Sequence, residues 1–208
     1  MAITVGPAKL VKAGFVQLDA RNPKPQIVVF QYNPETLVRR LEGTASPATG
    51  AASGVHGATA SGGGATGAGA PVLTVPVETV SFTIPLDATD QLERGDPLTQ
   101  QSGLLPMISA LELLLYPSPG VVTVWVSGNR RVMPVRIREL VFDEKSFDAA
   151  LNPIRAELFV SLQVLKDAEL ANDPLGRALW DAHFATLQQL AKTVFDSGSI
   201  AALGLTGI

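Results

Sequence analysis

The sequence contains no cysteine, so neither disulfide stapling nor thiolate metal ligation is open to it. Histidine is almost as scarce: His56 and His183 are the only two in 208 residues, which leaves little material for acid–base work near neutrality. Charged side chains make up only 17% and aromatic ones 6%. The charges split into 16 basic and 19 acidic, a net charge of −3, and exert no global pull toward nucleic acid or an anionic membrane. No run approaches the ~18 consecutive apolar residues of a membrane span. The first residues lack a basic flank followed by a long apolar stretch, so a secretory signal is not expected. Against these shortages stands a hydrophobic content of 46% and a mean hydropathy of +0.25. So few charges leave apolar surface uncovered, and part of it is expected to be covered by neighbouring subunits.

What is present reads mainly as strand. An ordered segment is expected over residues 9–18, a loop over Asn22-Pro23-Lys24-Pro25, a β-rich run over 27–32, a turn at Asn33-Pro34 and an extended stretch over 36–42. Val80, Phe82, Ile84 and Leu86 then alternate with Thr79, Ser81 and Thr83, the period of a half-buried strand. Strands are also expected over 121–126 and 131–142, joined at Ser127-Gly128-Asn129, and over 155–165. In the last of these Ala156, Leu158, Val160, Leu162 and Val164 share one face. Leu104, Met107, Ile108, Leu111, Leu114 and Leu115 recur at helical spacing before Pro117. Asp173-Pro174 is an N-cap followed by a first-turn proline, and opens a second, amphipathic helix. The expected fold class is α+β, mainly β, with a closed or nearly closed antiparallel sheet.

Between residues 43 and 70 the composition changes: nine of the nineteen glycines fall there, among Ala, Ser and Thr. Such a stretch has too little to bury to offset its ordering entropy. It is expected to be a flexible insertion between two strands, or a segment ordered by a neighbouring subunit. The division expected is a β domain over residues 1–170, containing that insertion, and a C-terminal helix and short tail over 171–208.

Candidates for chemistry are thin. Asp87, Asp90, Glu93 and Asp96 could offer oxygen ligands, but they lack the spacing of a calcium loop and read as a solvated loop. Neither histidine has a nucleophile motif beside it, and the Gly62-Gly63-Gly64 run lacks the Lys-Ser/Thr ending of a phosphate-binding loop. No catalytic, cofactor or metal residues are expected, and the chain is read as a non-enzyme. Arg130, Arg131, Arg136 and Arg138 form a basic cluster without interleaved aromatics. It reads as a strand face, with Arg136 and Arg138 available to meet an acidic 87–96 loop on another copy. Trp180 and Phe184 widen the apolar stripe of the last helix toward a mixed role in core and contact.

Three phrases in order carry a resemblance: Phe30-Gln31-Tyr32-Asn33-Pro34-Glu35-Thr36-Leu37, Ser81-Phe82-Thr83-Ile84-Pro85-Leu86-Asp87, and Pro153-Ile154-Arg155-Ala156-Glu157-Leu158. Together with the Leu-rich helix they resemble the tube/baseplate adaptor family of phage-tail-like contractile injection systems. The resemblance implies a tube-protein-like antiparallel β-barrel or sandwich with a central helix, stacked as a ring of six. It implies a structural adaptor between the inner tube and the central spike hub of a bacterial particle. An inner-tube, tube-initiator or terminal-cap protein is the alternative. Implied partners are copies of itself, the inner tube protein, the spike or hub and other baseplate proteins, with no cofactor, nucleic acid or membrane insertion. Assembly in the bacterial cytoplasm is implied, with release in the particle afterwards. Asn33, Pro34 and Arg155 would then lie at subunit boundaries, with Arg136, Arg138, Trp180 and Phe184 as further contact residues. Relatives often carry a LysM module after this domain; the residues following Leu165 are too few for one.

Overall fold

The computed structural model describes residues 11–43, 45–46, 72–73, 76–128 and 130–195. Seven strands form one antiparallel sheet: β1 (Gly14–Asp19), β2 (Asn22–Val29), β3 (Leu37–Glu42), β6 (Val77–Asp87), β7 (Val121–Val126), β8 (Val132–Phe147) and β9 (Pro153–Val164). Their order is β2-β1-β7-β8-β9-β6-β3, so β2 and β3 are the edges. Two short strands, β4 (Ala45–Ser46) and β5 (Val72–Leu73), pair with each other. The fold class is therefore α+β and mainly β.

Alternation dictates most of this. In β6 every second residue from Val80 to Leu86 is buried, and in β9 so is every second residue from Ala156 to Val164. A one-residue slip would move both sets into water, so burial itself sets the register of Val80 opposite Leu162 and Phe82 opposite Val160. β8 is the long member at 16 residues. Its first residues pair with β7, its remainder with β9, and register shifts interrupt it between Ile137 and Glu139. A bulged strand that changes partners bends the sheet at that point.

The bend is visible in the core. Phe82 of β6 stacks on Trp125 of β7 with ring centroids 5.5 Å apart. Three strand spacings separate these strands, roughly 14 Å across a flat sheet. The sheet therefore curls until its inner faces meet. Phe15 and Phe30 continue the aromatic row, with centroid separations of 5.2 Å between them and 5.8 Å from Phe30 to Phe82.

Four helices occur among the described residues: α1 (Thr89–Glu93), α2 (Pro97–Ser102), α3 (Leu105–Leu113) and α4 (Pro174–Phe195). The Leu-rich helix is the expected one, with Leu104, Ile108, Leu111 and Leu114 buried. It spans the gap between the start of β9, where Leu104 N–H donates to the Pro153 carbonyl (2.8 Å), and β1, where Gln17 donates to the Leu114 carbonyl (3.4 Å). Asp173 caps α4 as expected, its carboxylate accepting from Gly176 N–H at 3.0 Å.

Several expectations need correction. Residues 87–96 are not a bare loop: they form α1 and lead into α2, whose N-cap Asp96 accepts from Thr99 N–H at 3.0 Å. Asn22-Pro23-Lys24-Pro25 is not a loop but the start of β2, where an edge position makes the missing proline N–H tolerable. The preceding turn is instead held by Asp19, which accepts from Arg21 N–H at 2.9 Å. The β-rich run ends at Val29, short of Tyr32, and β8 extends past residue 142 to Phe147. Most of the glycine-rich stretch, with His56, lies outside the described residues. Its flanks do not: β3 and β6 pair directly, Glu42 opposite Val77, so the stretch is inserted at the tip of a hairpin.

Candidate functional site

The residues carrying the three sequence phrases converge on Asp87, at the end of β6. The Asp87 N–H donates to Gln31 Oε1 (3.1 Å), and the Asp87 carboxylate accepts from Thr89 N–H (2.8 Å). Arg155, its register partner on β9, places Nε 3.1 Å from the carboxylate. Burial pushes the Asp87 carboxyl up, but the hydrogen bonds from Thr89 and the Arg155 charge outweigh it and hold the group below the usual carboxylate range. Asn33 lies nearby in sequence and acts as a clamp: Oδ1 accepts from Ala13 N–H (2.8 Å) while Nδ2 donates to the Val11 carbonyl (2.9 Å). The amide thereby extends the β1–β2 pairing beyond the strand end. Pro34 is half-buried beside it.

The two edges of the sheet carry apolar side chains. On β2, Ile27 is 58% exposed and Val29 is also exposed; on β3, Val38 is 61% exposed and Leu41 accompanies it. Beside β2 a groove of about 790 Å³ runs under α2 and α3, lined by Ile27, Val29, Leu98 and Met107. An exposed edge with apolar flanks is a template for another strand unless charge or proline blunts it. Both edges are blunted in part, β2 by the prolines at its start and β3 by the exposed Arg40 and Glu42.

The remaining predicted residues separate. Arg136 is exposed, 3.8 Å from Glu169 of the same chain, and Arg138 is exposed at the β8 register shift, with no ion pair among the described residues. The acidic series that Arg136 was expected to meet on another copy is partly spent within its own chain, Asp87 on Arg155 and Asp96 on the first turn of α2. Trp180 is 9% exposed and packs inward, stacking on Phe184, which is 47% exposed. The stripe thus places one ring in the core and leaves the other half in water.

A polar cluster under α4 was not anticipated. Glu78 continues the inward face of β6, one step beyond Val80, and is buried. It is paired with Arg39 of β3 at 2.5 Å. Lys166 donates to the Pro76 carbonyl and lies 5.6 Å from the centre of the Trp180 ring. Burial pushes the Lys166 ammonium below its usual range. His183 is buried on α4, and neither ring nitrogen has a partner. Desolvation holds its pKa down; Glu78 opposes this, while Arg39 and Arg131 add to it. The period-two pattern running back from Val80 was the available signal, since it puts Glu78 inside.

Among the described residues no group of three or more His, Asp or Glu side chains is placed to hold a metal. No helix among them is long and apolar enough to cross a membrane. No family model matches the chain, and a search of curated proteins gives no significant match.

Proposed function

We propose that this chain is a structural baseplate component of a bacterial contractile injection system, a ring-forming adaptor between the inner tube and the spike hub. The observation that carries this reading is the pair of unpaired sheet edges, β2 and β3, each bearing exposed apolar side chains. Copies placed side by side can continue the sheet from the β3 edge of one to the β2 edge of the next, and closure of such a heterologous contact makes a ring. The curl that stacks Phe82 on Trp125 supports a tube-protein-like barrel or sandwich as the unit. The junction of Gln31, Asp87 and Arg155 gives the three family-like phrases a shared task, holding the ends of β6 and β9 in place. No bond chemistry is assigned. The part transmits force as a rigid wall while an outer sheath shortens, with the tube protein, the spike and other baseplate proteins as partners.

Ile27→Lys tests the edge. Burying a half-exposed isoleucine stabilises a contact by about 1 kcal/mol or more, so the substitution is expected to weaken self-association about fivefold or more at each interface. Native mass spectrometry of the chain, alone and with tube and spike subunits, reads the result. Rings or spike complexes lost in the variant support the adaptor role. A chain that stays a monomer at high concentration and binds neither partner overturns it. Long tubes formed by the chain alone would favour an inner-tube protein instead.

A further inference from the structure

A cavity of about 270 Å³ lies between α4 and the sheet, and its wall is chemically uneven. Leu37, Met133, Leu187 and Leu190 make an apolar body. Two further side chains on the wall, Trp125 and His183, are 0% and 5% exposed. The Trp125 indole N–H and both His183 ring nitrogens lack hydrogen-bond partners. Buried polar atoms are nearly always satisfied; here protein atoms close off these three, and a turn of either ring toward the cavity would bring a donor onto its wall.

Charge says which kind. Arg39, Arg130 and Arg131 also line the cavity. Arg39 is committed to Glu78, whereas neither Arg130 nor Arg131 forms an ion pair among the described residues. Three guanidinium groups against one carboxylate leave an excess of positive charge beside two groups that can donate hydrogen bonds. We propose that this cavity binds a small monocarboxylate with a compact apolar stem. The carboxylate would lie against Arg130 and Arg131, with the His183 ring turning to donate to it, while the stem fills the leucine- and methionine-lined part. Water can meet the arginines at the polar end, but an ordered water needs two to four polar partners and the leucine- and methionine-lined part offers none. Leu37 and Arg39 of the wall belong to edge strand β3, but binding of a small anion is read without assembly, so the proposal stands or falls separately from the assembly role.

Hexanoate is the probe, titrated into the full-length chain at neutral pH by calorimetry, with the His183 imidazole resonances followed by NMR. Saturable one-to-one binding that shifts those resonances is expected. Hexanol, which keeps the stem without the charge, is expected to bind at least about tenfold more weakly. The Arg130→Gln/Arg131→Gln double variant, which touches the rim and leaves the core intact, is expected to lose at least about tenfold in affinity with an unchanged melting temperature. His183→Phe, which fills the space, is expected to abolish binding. No saturable binding of hexanoate overturns the proposal. So does equal binding of hexanol, or full affinity in the double arginine variant, since each describes an apolar void without an anion site.

Discussion

Gly103 connects α2 to α3 at φ +53°, and a Cβ there would run into the Pro153 carbonyl oxygen. Gly103→Ala is therefore expected to cost about 3 kcal/mol, left-handed strain and overpacking together, as read by urea unfolding. Gly120→Ala, also at positive φ (+82°) but facing open space, is expected to cost only about 1 kcal/mol. At His183 the relevant variable is pH. Its folded-state pKa is depressed below 6.5, so the unfolded chain takes up a proton first as pH falls. The His183 contribution to stability is thus fully present above about pH 6.5 and lost as pH falls through the folded pKa, at up to about 1.4 kcal/mol per pH unit. The groups facing it from the packed elements are Glu78 and Arg39, with Arg131 ahead of β8. The depressed carboxyls, Asp87 among them, enter only below their ordinary value near 3.8. Thermal melts from neutral pH to about pH 5 are expected to slope less in His183→Leu than in the parent chain; equal slopes would remove His183 as the cause.

At the scale of elements, α4 is the informative case, because its aromatic stripe has a buried member and a half-exposed one. Trp180 packs on the sheet and under Lys166, so Trp180→Ala is expected to cost about 3 kcal/mol in the isolated chain. Phe184, half in water, is expected to cost less than about 1 kcal/mol on the same substitution. If Phe184→Ala also weakens self-association, the outer face of α4 is a contact surface. Unfolding curves and sedimentation separate the two effects. The helix itself was legible from Asp173-Pro174 and its apolar spacing. The same Asp-Pro signal stands at Asp96-Pro97, yet α2 went unread: six residues are too short for a periodicity to register. β2 was misread at its start because proline marks loops in isolation, and only membership of an edge makes it compatible with pairing.

At the scale of the whole molecule, the β3–β6 hairpin pairs as far as Glu42 opposite Val77, with the glycine-rich chain inserted beyond that pair. Closure entropy changes only logarithmically with loop length. Deleting residues 50–68 is therefore expected to shift stability by no more than about 1 kcal/mol, measured by chemical denaturation. Loss of assembly without loss of stability would place the insertion at a subunit contact. A large loss of stability would mean that it supports the sheet directly.

Local sequence was sufficient for the alternating faces of β6 and β9, the buried leucines of α3 and the cap of α4. Each is a periodic or adjacent-residue property, decided by where neighbouring side chains point. Tertiary structure alone decided the strand order, the curl that brings Phe82 onto Trp125, and the meeting of Gln31, Asp87 and Arg155. It also brought Arg39 of β3 onto Glu78 and set His183 of α4 beside them. Those contacts join residues far apart along the chain, where no local pattern carries the distance between them, and they form only once burial has chosen which faces close on each other.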